Sequence, residues 1–381
     1  MLSFWEKQTF LNYDYIVIGS GIVGLSTAAS LIETNKKAKI LVLERGLFPT
    51  GASTKNAGFA CFGSLTEILS DLEKMTENQV IDLVNERYNG LKRLRKRLGD
   101  KAIDYRQYGG YELISEKELP ALEQLDTIND LLKSSFKGKV YELKNKKINA
   151  FGFDKESIKA LVFNSFEGQI DTGKMMKSLL RYVQERGVQV LNHCEVSNFE
   201  EIENNTKVKV YVKNQLSNEK IGFSAKKLIV CTNAFTSQFF PDLDIVAGRG
   251  QVLITEPIKD LKLKGTFHFD EGYYYFRNYG KRVLLGGGRN LDFQAENTNE
   301  INTTDKIMNH LEYLLKTIIL PKQEYVRIAH RWAGIMAFGA VKKPIIQFYT
   351  PNILVAVRMG GMGVAIGSQV GMQASKLILE N

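Results

Sequence analysis

The stretch that decides the fold is residues 14–33, DYIVIGSGIVGLSTAASLIE. Residues 14–18 are a short β-branched run, the pattern of a strand buried on both faces. Gly19-Ser20-Gly21-Ile22-Val23-Gly24 follows, and LSTAASLIE after it predicts a helix. A second strand, KILVLE, ends at Glu44, twenty residues past Gly24. Strand, G-x-G-x-x-G, helix, strand and acid in this order form a dinucleotide-binding unit. Gly19 permits the tight turn, Gly21 lets backbone approach a pyrophosphate, and Gly24 lets helix and strand pack closely. The helix N-terminus, with Ile22 and Val23 in its first turn, offers N–H donors and a positive dipole end. Glu44, with Arg45 beside it, is placed to accept hydrogen bonds from ribose hydroxyls.

Composition sets the outer limits. A chain of 381 residues can bury a large core and is expected to form two structural domains. No apolar run approaches the ~18 residues of a membrane-spanning helix, so no transmembrane segment is expected. The N-terminal stretch carries Glu6 and Asp14 and lacks the pattern of a signal peptide. Cys61, Cys194 and Cys231 are scattered, which predicts no metal site and a reduced, cytoplasmic setting. The net charge is +9, and its densest cluster, Lys92 to Arg97, alternates with Leu91, Leu94 and Leu98. That is the pattern of a solvated helix face; with no known nucleic-acid module present, no nucleic-acid partner is expected.

Past Glu44 the chain runs into GASTKNAGFACFG, residues 51–63, which is too rich in small residues to build a core. An NAD dehydrogenase would continue with alternating strands and helices. A loop of small residues at this point can instead pass beside a second, larger ring system. Ser53 and Thr54 can donate to phosphate, while Asn56, Ala57 and Gly58 present polar groups and bare backbone.

Further motifs are spread over the chain in order: GRGQVLITEP (248–257), YYYFR (273–277), RVLLGGGR (282–289), RWAG (331–334) and MGGMGVAIGSQVG (359–371). With SFWE, GIVGLSTA and GASTKNAG, they resemble the D-amino-acid oxidase-like family of FAD-dependent oxidoreductases. Within it the chain is most similar to the gamma-glutamylputrescine oxidase and glycine/sarcosine oxidase types of amine and amino-acid oxidase. The resemblance implies an α/β fold: a Rossmann-like FAD-binding domain of the glutathione-reductase type, and an α+β substrate domain with a mostly antiparallel sheet. The FAD-binding domain is expected at 1–70, 154–245 and 325–381, and the substrate domain at 71–153 and 246–324. It implies that Val196 meets adenine through its backbone, that Thr232 and Asn233 lie near the pyrophosphate, and that the loop 51–58 runs along the flavin. Gly334 and the turn Gly360-Gly361-Met362-Gly363-Val364 complete the expected cofactor site. The helix that follows the turn would bring its positive end to the flavin. Cys231 reads as a small buried hydrophobe.

Tyrosines alternate along 104–115 and 246–290, the pattern of the second sheet. Alternation puts Tyr274 and Phe276 on one face and Tyr273, Tyr275 and Arg277 on the other, one of which lines the pocket while the other packs in the core. Tyr274, Arg277, His330 and Trp332 are the candidate catalytic residues. Residues 116–150 and 294–325 read as helical surface cover.

The implied chemistry is oxidation of a C–N bond in a small amine or amino acid by hydride transfer to the flavin, with the imine then hydrolysed. Oxygen or another acceptor would take the electrons. A 2-hydroxy-acid dehydrogenase using His330 or His268 as base, and a flavoprotein with a binding or assembly role, are the alternatives. Departures from the family narrow the expectation. Met336 stands where D-amino-acid and glycine oxidases place an arginine for the substrate carboxylate. Ala365 and Leu284 stand where the sarcosine branch has lysines. No cysteine follows Trp332 at the position of covalent attachment, so FAD is expected to be noncovalent. Arg249, Arg277 and His330 are the candidates for holding an acid group instead, and simple α-amino acids are expected to be poor substrates.

Overall fold

The computed structural model describes residues 2–202, 204, 206–213 and 220–381. The first strand, Asn12–Ile18, lies between Ile40–Leu43 and Lys220–Val230, parallel to both. Gln189–Leu191 extends the sheet on one side and Ile353–Val357 on the other, again parallel. Ile345–Thr350 and the ribbon Val196–Ile202/Lys207–Lys213 add antiparallel strands. The strand order reverses around Asn12–Ile18, and ligands of such sheets bind at that switch point, outside the carboxyl ends of the strands.

The helix Ile22–Thr34 is buried all round, from Ile22 to Ile32. Its small residues explain how. A β-carbon at Gly24 would lie 1.9 Å from the Gly19 carbonyl oxygen. On its other side the C-terminal helix, Gly363–Glu380, crosses so closely that a β-carbon at Gly371 would lie 2.6 Å from Ser26 Cβ. Gly90, on the helix Glu77–Leu98, packs equally closely against the Ala365 carbonyl of that C-terminal helix. The dinucleotide unit is therefore clamped by the last 18-residue helix of the chain.

The second sheet has eight strands in the order Ile328–Phe338, Val246–Thr255, Arg282–Gly287, Tyr274–Tyr279, Thr266–Phe269, Gly110–Ile114, Ala160–Asn164, Tyr141–Leu143. All neighbours are antiparallel except Thr266–Phe269 with Gly110–Ile114. Two of these strands lie outside the segments expected for the substrate domain. Ala160–Asn164 pairs with Gly110–Ile114, and Ile328–Phe338 pairs with Val246–Thr255 along its whole length. The chain thus returns to the first sheet only after Phe338, because the register from Val246↔Phe338 to Thr255↔Ile328 holds that strand in the second. The stretch 116–150 is mostly helical, as expected, with Tyr141–Leu143 as an edge strand.

One face of the second sheet carries Phe267, Phe269, Tyr274 and Phe276, packed with Phe153 and the buried side of the helix Asp305–Leu314. Phe267 and Phe276 stack with centroids 4.7 Å apart. The opposite face looks toward the first sheet. No helix among the described residues is long and apolar enough to cross a membrane.

Candidate active site

A cavity of about 500 Å³ runs between the two sheets. One end is walled by Gly19, Gly21, Ile22, Val23, Glu44, Arg45, Val196, Thr232 and Asn233, all at the carboxyl ends of the parallel strands or just beyond. Gly19 has φ +100° and lies against the Cys231 carbonyl, so a side chain there would be strained and crowded. Gly21 caps the helix without a side chain, and the orphan Ile22 N–H is met by Ser53 Oγ at 2.9 Å. Glu44 is buried. Its carboxylate accepts from Ser20 Oγ at 2.6 Å, Ser20 N at 3.2 Å and Gly46 N at 2.9 Å, while its edge still lines the cavity. Arg45 lies over the Phe235 ring at 3.8 Å. Burial pushes the Cys231 thiol up to about 12, as fits an inert small hydrophobe.

The loop 51–58 forms the middle of the wall. Ser53, Lys55, Asn56 and Ala57 line the cavity. Thr54 and Gly58 do not: Thr54 Oγ1 donates to the Gly51 carbonyl, and Gly58, at φ +74°, packs against the Ile170 carbonyl. The Asn56 amide holds the loop's own turn, donating to Ala52 and Ser53 carbonyls and accepting from Gly58 N and Thr172 Oγ1. Opposite it, Gly360 to Ala365 bring the first turn of the C-terminal helix to the same cavity. Two helix N-termini and a bare-backbone loop thus face one elongated space, a donor set suited to a flavin dinucleotide.

The far end is the inner face of the second sheet. Its floor is glycine. A β-carbon at Gly248 would meet Arg289 Nε at 2.8 Å, at Gly250 Met336 Cε at 2.8 Å, at Gly286 the Tyr275 ring at 2.6 Å, and at Gly334 Lys55 Cβ at 2.9 Å. Four side chains therefore lie flat on the sheet, where ordinary residues would push them off. Tyr273 and Tyr275 line the cavity, and burial pushes the Tyr275 hydroxyl up to about 12.

The four candidate catalytic residues lie elsewhere. Tyr274 is on the core face, stacked on Phe269 at 4.9 Å, because strand alternation turns it away from Tyr273 and Tyr275. Arg277 is on the inner face but beyond the cavity. It is 4% exposed, with Nε donating to the Ala57 carbonyl at 2.5 Å and Nη2 to that of Ile170 at 3.0 Å. Burial lowers its pKa to about 10, which leaves it charged at neutral pH. Trp332 Nε1 donates to the Lys55 carbonyl at 2.9 Å, and His330 is exposed and stacked on Trp332. Arg277 and Trp332 are thus staples for the loop, and their job is to seat it. Arg249 is also occupied, in a buried ion pair with Glu296 at 2.7 Å.

Sequence reasoning named His268 only as a base for the hydroxy-acid alternative and missed the cluster it forms on the cavity wall. Cys61 and His268 both line it, and both are buried. His268 Nε2 lies 3.7 Å from the buried Glu167 carboxylate. Burial acts to lower the His268 pKa, but Cys61 and Glu167 outweigh it and raise it well above the ordinary imidazole value. Burial raises the Cys61 thiol pKa, and its Sγ lies 3.8 Å from Met362 Sδ. The three come from segments more than 90 residues apart, so no spacing in the sequence announces them.

The fold is that of a flavin dinucleotide-dependent oxidoreductase, with the fingerprint unit at one end of the cavity and the inner face of the second sheet at the other. The profile of the DAO family, described as FAD dependent oxidoreductase, matches residues 14–377, and the chain belongs to that family. A relative, the probable oxidoreductase OrdL of Haemophilus influenzae, is 22% identical over 389 residues, spanning 96% of this chain and 83% of its own. Among solved structures, L-proline dehydrogenase from P. horikoshii superposes with a TM-score of 0.77 at 18% identity, covering 97% of this chain and 94% of its own. Glycine oxidase from Geobacillus kaustophilus gives 0.76 at 16%, covering 97% and 95%. The L-alpha-glycerophosphate oxidase of Mycoplasma pneumoniae, solved with FAD bound, also gives 0.76, at 17% identity and with coverage of 97% and 95%. FAD is the cofactor of this chain, and Gly19, Gly21, Gly360, Gly361 and Gly363 bring bare backbone to the cavity.

Proposed function

We propose that the chain oxidises the C–N bond of a small amine or amino acid. Bound FAD, held without a covalent link, supplies the two-electron acceptor. The substrate α-carbon gives up a hydride and the product imine is hydrolysed by water. The fingerprint glycines, Glu44, Ser53 and the first turn of the C-terminal helix are the residues assigned to hold FAD. The observation that carries the reading is the chamber itself, an aromatic, glycine-floored face with Tyr273, Tyr275 and Met336 lying over it. Such a surface desolvates an amine and favours its neutral, reactive form. Similarity to a proline dehydrogenase and a glycine oxidase supports the same class.

Oxidation of a 2-hydroxy acid is the second reading, since His268 lines the chamber and its Nε2 makes no hydrogen bond to the described residues. A hydroxyl substrate needs an unprotonated base. The Glu167 carboxylate beside it favours the protonated ring, which favours the amine reading.

The test is anaerobic mixing of the yellow holoprotein with amines, amino acids and hydroxy acids while flavin absorbance is followed. Bleaching by amines or amino acids is expected. Bleaching by hydroxy acids alone would overturn the assignment. Flavin that stays with the chain after acid precipitation would overturn the noncovalent link.

A further inference from the structure

We propose that Arg289 is the acid-binding residue of the chamber, docking a carboxylate of the substrate on its guanidinium beside Met336. The proposal rests on the reading of the cavity as a substrate chamber.

Besides His268, which is paired with Glu167, five cations line the cavity: Arg45, Lys55, Lys74, Arg289 and Lys342. Arg45 belongs to the dinucleotide end, stacked on Phe235. Lys342 is paired with Asp71 at 2.6 Å, and Lys74 is exposed. Lys55 lies over Gly334 on the loop. Arg289 alone has a built seat. Its guanidinium carbon sits 4.3 Å from the centre of the Phe338 ring and 5.0 Å from that of Phe293, and the bare backbone of Gly248 lies beneath it. Nη2 donates to Asn297 Oδ1 at 2.5 Å, which fixes the plane.

What the seat lacks is a counter-ion. No carboxylate among the described residues forms an ion pair with Arg289; the nearby Glu296 is taken by Arg249 and Gln251. Nε is buried without a partner, and Nη1 makes no hydrogen bond to the described residues. A half-buried, fixed and uncompensated guanidinium presents a planar fork that matches a carboxylate in two parallel bonds. Its place is informative too. Gly248 is the register partner of Met336, so Arg289 lies over the strand position next to Met336.

The test is titration calorimetry on the FAD-loaded protein with propionate and benzoate, each against its primary amide. Wild type is expected to bind the carboxylates at least about tenfold more tightly than the amides. Arg289→Gln should raise the carboxylate Kd on the order of 100-fold, and Arg289→Lys should recover part of the loss. Melting curves identify a variant that has failed to fold, in which case Arg289→Lys is compared with wild type alone, and an unchanged Kd there overturns the assignment. A carboxylate Kd within about twofold of wild type in folded Arg289→Gln overturns it. So does loss of binding in Lys55→Met when Arg289→Gln retains it. Amines that bleach the flavin while no carboxylate binds would remove the Arg289 site and leave the proposed function standing. Carboxylates held through Arg289 in a protein that no amine bleaches would do the reverse.

Discussion

The two ends of the cavity are built by opposite means. At the dinucleotide end, Gly19, Gly21, Gly24 and Glu44 lie within 26 residues of sequence, and their positions follow from one strand–turn–helix–strand unit. At the substrate end, Tyr275, Arg289, Met336 and Lys55 come from separate segments and are set by the sheet floor they share. A cofactor site of this kind tolerates little change in backbone, whereas a chamber of this kind is defined by what lies on a bare floor. The contrast breaks down if substitutions at the two ends produce the same kind of damage.

The largest effect is expected at Gly24. A valine there meets the Gly19 carbonyl at a β-carbon distance of 1.9 Å, and destabilisation of about 3 kcal/mol or more is expected together with loss of flavin. Thermal melting and the flavin-to-protein absorbance ratio check this. Arg277→Met comes next. It leaves the buried Ala57 and Ile170 carbonyls without donors, at about 1–3 kcal/mol each. A lower Tm and weaker FAD retention are expected. A normal Tm with a raised KM would instead return Arg277 to substrate binding.

Glu44→Ala sharpens the comparison from the cofactor side. Loss of charge-assisted bonds to ribose of about 1.5–3 kcal/mol should weaken FAD binding by tenfold or more, measured by fluorescence titration of the apoprotein. The freed Ser20 and Gly46 donors predict a modest fall in Tm as well. Unchanged FAD affinity would remove Glu44 from the site.

A pH effect belongs to the second sheet. Burial raises the Glu112 pKa to about 7, against bonds from Thr66 that lower it. The folded state therefore keeps a proton that the unfolded chain loses near the ordinary carboxyl value of about 4.5. The stability it contributes is full below about 4.5 and is lost as pH rises toward 7. Tm should fall across that window, and Glu112→Gln should flatten the slope. A Tm that rises there in wild type through this residue would mean Glu112 is ionised in the fold. The smallest effect is expected for His330→Ala, which should leave kcat/KM unchanged and stability within about 0.5 kcal/mol.

How far the sequence could be read follows the same division. The fingerprint roles need only local spacing, and so the fold class and FAD were legible from residues 14–63 with the motifs that resemble the family. Tyr274 was misplaced for a physical reason. Alternation separates Tyr274 from Tyr273 and Tyr275, but both faces of this sheet are covered, one by the helix Asp305–Leu314 and one by the first sheet, so periodicity alone leaves the inward face open. Arg277 and Trp332 were recognisable as unusual, yet their partners are backbone carbonyls, which no residue type reveals. Arg289 had a signal, a charge placed directly after the glycines of RVLLGGGR, but its lack of a counter-ion exists only in three dimensions. If that residue does hold the substrate acid, the expectation drawn from Met336 reverses, and α-amino acids become competent substrates.

The stapled loop also fixes a sequence of events during synthesis. The Ala57 carbonyl is held by a residue 220 positions later, and that of Lys55 by one 277 positions later. The helix that clamps the fingerprint lies more than 300 residues after it. A nascent chain can form the first strand–helix–strand unit early, but the Ala57 and Lys55 carbonyls gain their side-chain donors only once Arg277 and Trp332 have emerged. A chain cut before Arg277 would carry the dinucleotide signature without either of these two staples.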